Sequence, residues 1–205
     1  MDTNFAADVV IMEEGTELLQ RLKARKANKD VALPMFTSCC PGWINYVEKH
    51  APMIMEYLST TRSPQAVFGA LAKALLPQRL NIPREKLRVI SIMPCTAKKG
   101  EAQRPTLARE EGLDVDADLT VRELAKLLRR CGMQLKNCKP RKHEQNHFNE
   151  DSGAGAIFGA TGGVMEAAVR TVYALTHNGE TLNPIVFEPA RGLEGVKEAE
   201  VDLGE

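Results

Sequence analysis

The chain has 205 residues, of which 43% are hydrophobic and 26% charged, enough apolar material for a real core. Lys plus Arg and Asp plus Glu each total 27, so the formal net charge is zero. The charge balance argues against a nucleic-acid partner, and no apolar run approaches the length that crosses a bilayer, so no membrane role is expected. The sequence carries five cysteines, at positions 39, 40, 95, 131 and 138. An odd number that includes an adjacent pair, without a secretory leader, argues against a disulfide scaffold. It points to reduced thiols available to metals in a cytoplasmic protein.

In chain order, Ala7, Val10, Ile11, Leu18 and Leu22 recur at helical spacing over residues 4–25. Residues 23–30 read as an exposed connection, and residues 31–36 as a short buried strand. Pro41 suits the first position of a helix continued by Ile44, Tyr46 and Val47. Pro64 opens a further helix with Val67, Phe68, Leu71, Leu75 and Leu76 on its apolar side, closed by Asn81-Ile82-Pro83. Residues 87–93 form a β-rich apolar run ended by Pro94 and Cys95. Residues 119–130 predict an amphipathic helix with Thr120 as cap and Glu123 three residues on. Residues 138–151 predict a polar loop, and residues 154–158 a strand entering a glycine turn at 159–163. A helix follows over 164–175, with strands at 185–187 and 199–203.

Strands alternating with helices predict an α/β fold, a largely parallel sheet flanked by helices, as one large domain or two lobes. Ligands collect outside the carboxyl ends of strands in such sheets, so the Cys39-Cys40 loop, Cys95 and the glycine turn are expected on one edge. There is no internal repeat.

Two segments carry the chemistry: Thr37-Ser38-Cys39-Cys40-Pro41-Gly42-Trp43 and Met93-Pro94-Cys95-Thr96-Ala97-Lys98-Lys99-Gly100-Glu101. In this order they resemble the first two signature segments of the FeFe (iron-only) hydrogenases, large-subunit catalytic domain. The runs at residues 11–18, 59–70 and 152–167 resemble the same family, and the likeness covers nearly the whole chain, weakening at 138–151. The resemblance implies an H-cluster: a 4Fe-4S cubane joined to a two-iron subcluster carrying carbon monoxide, cyanide and a bridging dithiolate amine. It implies Cys40 and Cys95 as two of four cubane ligands, since soft thiolates suit iron, and Cys39 as the thiol that delivers protons. A proton route through Glu14, Ser59 and Glu17 is implied likewise, and Lys98 as the contact to a cyanide ligand. Pro64, Gln65, Met93, Phe158, Gly159 and Val164 are implied to line the two-iron pocket. Glu101 is expected to pair with a base or support its loop.

Plainer readings stand beside these. Cys40 and Cys95 read alone as inert core thiols. Glu14 and Glu17 read as solvated positions on one helix face, Ser59 as a turn cap, Lys98 as a surface lysine, and Met93, Phe158 and Val164 as core. The glycines 159, 162 and 163 lack phosphate-loop or dinucleotide spacing. Cys131, Cys138, His143 and His147 have the spacing C-x6-C-x4-H-x3-H; structural zinc sites more often use about two to four residues between cysteines, so an incidental polar loop is preferred.

The family's third signature segment, with the other two cubane cysteines, is not in this sequence, nor is a ferredoxin-like cluster module. The expectation is an incomplete H-cluster domain spanning residues 1–205: a fragment, split subunit or truncated product, inactive as an isolated chain. When complete it would catalyse 2H⁺ + 2e⁻ ⇌ H₂ with ferredoxin or another electron-carrier protein, after loading by hydrogenase maturation proteins. The alternative is an iron–sulfur assembly relative, or a cluster-free remnant acting through a partner.

Overall fold

The computed structural model describes residues 2–110, 112–141, 150–183 and 185–203. Helix α1, Thr3–Lys26, is the longest element. Asp2 caps it by accepting from the Asn4 amide at 3.0 Å, and Lys23, Arg25 and Lys26 place positive charge in its last turn, where the helix dipole favours cations. Its buried face consists of Ala6, Ala7, Val10, Ile11, Glu14 and Gly15. These mostly small residues allow close approach by α3 (Pro64–Leu80), α6 (Ala154–Phe158) and α7 (Gly163–Thr176). At Gly15 an added Cβ would already touch Val172 of α7, at 3.4 Å. The core lies along this face, where Val10, Ile11 and Val172 are wholly or almost wholly buried.

Helix α2, Pro41–His50, follows the Cys39-Cys40 pair, with Cys40 at its N-cap position. Helix α3 is capped by Ser63, whose hydroxyl accepts from the Ala66 amide, and ends at Asn81 in the left-handed conformation that asparagine tolerates. Strands β1 (Ile90–Met93) and β2 (Ala117–Thr120) form a parallel pair in the register Ile90↔Ala117 to Met93↔Thr120. Helix α4, Ala97–Ala102, lies between them in sequence, and α5, Val121–Arg130, follows β2. At residue 69 a side chain is excluded, because its Cβ would lie 2.6 Å from Val115 Cγ2 and 3.0 Å from the Asp114 carbonyl. Asp114, itself buried, accepts from Arg62, Arg84 and Arg109 and so fastens the segment before β2 to residues flanking both ends of α3.

The α/β architecture matches the expectation, in a helix-rich form whose parallel sheet, among the described residues, is a single pair of strands. The reciprocal cap expected at Thr120 and Glu123 is present. Several expected elements differ. Residues 31–36 make only an isolated parallel bridge, Phe36↔Leu58, instead of a strand. The expected strand at 154–158 is the short helix α6. Asp8 of α1 accepts from the amides of Ser152 and Gly155, taking up donors at the start of that helix, and Gly155 lies against Asn4. A tertiary cap thus overrides the local apolar pattern. Ala117–Thr120 is a strand without a β-branched run, held by pairing to β1 and by Lys99 Nζ donating to the Asp118 carbonyl at 2.7 Å. The strands expected at 185–187 and 199–203 are replaced by a two-residue antiparallel pairing of β3 (Glu188–Pro189) with β4 (Lys197–Glu198). Among the described residues no helix is long and apolar enough to cross a membrane.

Lys73 of α3 is 4% exposed and pairs with Asp116 at 2.9 Å while donating to the Leu87 carbonyl at 2.7 Å. Burial pushes the Asp116 carboxyl up, but the Lys73 ammonium, the Val89 amide and Arg88 together outweigh it and leave it below its usual value of 3.8. This pair therefore contributes stability that is complete above pH 3.8 and lost as pH falls through the lower folded-state value. Asp116→Asn strands a buried ammonium and should cost about 3 kcal/mol in guanidinium unfolding at neutral pH. The variant should also flatten the acid slope of stability; an unchanged slope would show that another carboxylate sets it.

Candidate active site

The chemistry gathers where α1, the 37–40 loop, the 58–65 segment and α4 meet. Glu14 is fully buried on α1, and its Oε1 accepts from the Ser38 amide at 3.3 Å, which ties the helix to the loop holding the cysteine pair. Ser38 in turn donates from its hydroxyl to the Thr61 carbonyl at 2.7 Å. One helical turn along α1, Glu17 Oε2 accepts from the Ser59 hydroxyl at 2.9 Å and from the Thr60 amide at 2.9 Å. Glu17 Oε1 takes both Nε and Nη2 of Arg21, at 3.1 and 2.6 Å. Arg21 also donates to the Ala32 and Leu58 carbonyls, both at 2.9 Å.

The two carboxyls are set in opposite directions. Burial raises Glu14, assisted by the charge of Glu17 and opposed by the Ser38 amide and the Ser59 hydroxyl. Burial also pushes Glu17 up, but the Thr60 amide, the Ser59 hydroxyl and Arg21 outweigh it and leave it lowered. Ser59 acts on both groups, yet its hydrogen is spent on Glu17, and Glu14 Oε2 is buried without a hydrogen-bond partner. Ser59 Oγ also accepts from the Thr61 amide at 3.1 Å; a hydroxyl that donates to a carboxylate can in turn accept from a carboxylic acid, which is the geometry a proton needs to pass. Beyond Glu14 lies Cys39, whose thiol is pushed up to about 11 by burial first and the Glu14 charge second, against the pull of Lys98.

The second cysteine segment reaches the first through Lys98. Its Nζ donates to the Cys39 carbonyl at 3.1 Å and to Glu101 Oε2 at 2.9 Å. Ser63 donates to the same Glu101 oxygen at 2.8 Å. Gln65, 3% exposed, donates from Nε2 to the Lys98 carbonyl at 3.2 Å and accepts from Ser91 of β1 at 3.1 Å. Pro64 is buried at the first turn of α3, and Met93 ends β1; Gln65 and Met93 border a largely apolar groove of about 360 Å³ between α3 and β1.

Cys40 and Cys95 are exposed, and all five cysteines are free thiols. Cys40 adjoins the residue whose carbonyl Lys98 holds, and Cys95 accepts through its own carbonyl from the Lys98 amide at 3.4 Å. The two thiol-bearing segments are thus cross-linked by one lysine. Among the described residues no group of three or more His, Cys, Asp or Glu is gathered as for a metal ion. Two exposed soft donors on segments joined through Lys98 are of the type that iron–sulfur clusters take.

Phe158 and Val164 are half-buried, and Gly159 is exposed where α6 turns into α7. No hydrogen bond joins this turn to either cysteine segment among the described residues; its connection runs through α1. Cys131 and Cys138 are exposed beyond α5, and His143 and His147 lie outside the described residues. Arg21, Ser63 and Ser91 were not among the expected site residues. The i, i+4 spacing of Glu17 and Arg21 was a readable signal, whereas Ser63 announces itself only as a residue preceding a helix-starting proline.

The family model for the iron only hydrogenase large subunit, C-terminal domain, matches residues 1–205. The NADP-reducing hydrogenase subunit HndD of Solidesulfovibrio fructosivorans is 48% identical over 205 residues, all of this chain and 35% of that protein. A cytosolic Fe-S cluster assembly factor of Xenopus tropicalis, narfl, is 33% identical over 195 residues, 93% of this chain and 40% of that protein. A solved FeFe-hydrogenase, studied for oxygen damage to the 2Fe subcluster of its H cluster, superposes with TM-score 0.82 at 40% identity, covering 96% of this chain and 48% of its own. The chain therefore spans about a third to a half of the relatives it matches. Its two cysteine segments, its fold and its sequence together place it in one family: the chain belongs to the iron-only hydrogenase large subunit, C-terminal domain.

Proposed function

We propose that the chain is part of the catalytic domain of an iron-only hydrogenase, performing 2H⁺ + 2e⁻ ⇌ H₂ when joined to the rest of that domain. The observation that supports this most is the run from Cys39 past Glu14 to Ser59 and Glu17, a set of proton-bearing groups leading outward from a thiol pair. An iron–sulfur assembly protein has no need of such a run. Cys40 and Cys95 would hold one side of a 4Fe-4S cubane, with the remaining two thiolates coming from other segments. Pro64, Gln65, Met93, Lys98, Phe158, Gly159 and Val164 would border the two-iron subcluster. When bound, the cluster supplies the electrons and the place where the H–H bond is made or broken.

The chain's own contribution is proton handling and exclusion of water. Cys39 stays protonated at neutral pH and can give up its proton only to a strong base or a neighbour that returns one. Glu14, with the higher proton affinity, would hold the inner proton; Glu17, ionised and anchored by Arg21, would exchange with solvent; Ser59 would pass the proton between them. Two electrons per H₂ require an electron-carrier protein such as a ferredoxin, and the metal unit requires maturation proteins to install it. Five free thiols suit a reducing compartment, so the cytoplasm is the proposed location. With half the cubane thiolates, the chain alone is expected to show no H₂ turnover.

In the completed domain, Cys39→Ser should leave iron content unchanged while nearly abolishing H₂ evolution; loss of iron in proportion to activity would make Cys39 structural. Cys40→Ala should remove cubane absorbance after reconstitution with iron and sulfide, and intact absorbance would refute its ligand role. Because Glu14 is raised, native chain binds more protons than unfolded chain above the usual 4.5, and its stability should fall as pH rises from there through the folded-state value. Glu14→Gln should remove that fall in melting curves recorded from pH 4.5 to 8, about one pH unit apart. The same downward slope in the variant would mean that Glu14 is ionised throughout.

A further inference from the structure

Two segments far apart in sequence meet at one carboxylate oxygen, and a third, the Cys39 loop, joins them through Lys98. Glu101 Oε2 accepts from Lys98 Nζ at 2.9 Å and from Ser63 Oγ at 2.8 Å, and Glu101 is 7% exposed. Lys98 makes its second bond to the Cys39 carbonyl at 3.1 Å, and Gln65 holds the Lys98 backbone from the other side at 3.2 Å. An ammonium has three donors arranged about a flexible four-carbon stem, and a point charge of this kind has no intrinsic aim. Here two of the three donors are committed, one to a carboxylate and one to the main chain of the cysteine pair. The carboxylate cannot swing away, because Ser63 at the N-cap of α3 holds the same oxygen. Lys99 next door also holds two bonds, to Glu123 and the Asp118 carbonyl, but it is 40% exposed and bonded away from the cysteine loop, whereas Lys98 is 12% exposed and bonded to that loop's main chain.

We propose that Glu101 and Ser63 are positioning residues that aim the Lys98 ammonium, fixing it against the cysteine loop with its third donor left to an anionic ligand of the metal unit. The part concerning that ligand rests on the hydrogenase reading above. The aiming itself is a property of this chain, in place independently of the metal. Ser63 thereby does two jobs: its hydroxyl accepts from the Ala66 amide to start α3 and donates to Glu101 to orient the lysine.

The test is amine acylation of the full chain with an N-hydroxysuccinimide acetate, read lysine by lysine by mass spectrometry. Lys126, exposed on α5, reports reagent activity, and Lys73, 4% exposed, reports global unfolding. In the unaltered chain Lys98 should label slowly. In Glu101→Gln and Ser63→Ala it should label about fivefold faster or more, the scale of one lost charge-assisted hydrogen bond, with Lys73 still protected. Ser63→Thr, which keeps the hydroxyl, should restore slow labelling. Unchanged Lys98 labelling in both variants overturns the proposal. If Glu101→Gln also exposes Lys73, the serine pair decides: a rise in Ser63→Ala reversed by Ser63→Thr supports the proposal, and any other pattern overturns it. Iron uptake at Cys40 and Cys95 is measured separately, so failure of the hydrogenase reading would appear there and not in the labelling.

Discussion

Close packing against one face of α1 is the constraint on which the rest of the structure depends. Ala6, Ala7 and Gly15 let three helices approach the α1 backbone closely, and interiors this dense leave side chains little freedom to rearrange. Glu14 lies on that same face, so the packing that builds the core also takes a carboxyl out of water. A buried carboxyl needs partners, and Glu14 is half supplied: one oxygen takes the Ser38 amide, the other has none, and burial raises its proton affinity. The raised proton affinity of Glu14 follows from the geometry of the core.

From α1 the arrangement runs outward in two directions. Toward solvent, polarity rises from Glu14 to Glu17, where an amide, a hydroxyl and a guanidinium stabilise the charge. Toward α4, the cysteine loop meets the Lys98–Glu101 pair, whose bonds reach Ser63 at the start of α3. Such a buried pair is weak evidence for stability, because desolvation offsets much of the Coulomb gain. Its stronger consequence is geometric, since it holds segments from distant parts of the sequence in one relative placement.

What could be read from the sequence was local. The Thr120–Glu123 cap, the helix after Pro41 and the stop at Asn81 all follow from residues within a few positions of one another. What could not be read depends on partners far along the chain. Residues 154–158 look like a strand until Asp8, about 145 positions away, takes up the amides that begin a helix. The link from Glu17 to Ser59 spans 42 residues and that from Ser63 to Glu101 spans 38, and no spacing rule connects them. The first was expected only through family likeness; the second was not expected at all. The expected strand at 31–36 had the right composition but finds only Leu58 to pair with, and a bridge is not a sheet.

The unequal exposure of neighbouring cysteines carries a practical corollary. Cys39 is partly covered and holds its proton, whereas Cys40 and Cys95 face solvent. Oxidation proceeds from accessible thiolate, so air attacks the four exposed thiols, Cys40, Cys95, Cys131 and Cys138, before Cys39. In air these exposed thiols are therefore the first to become sulfenic acid. Anaerobic handling thus preserves the surface thiols in the reduced form, a protection that its interior position partly secures for Cys39 without it.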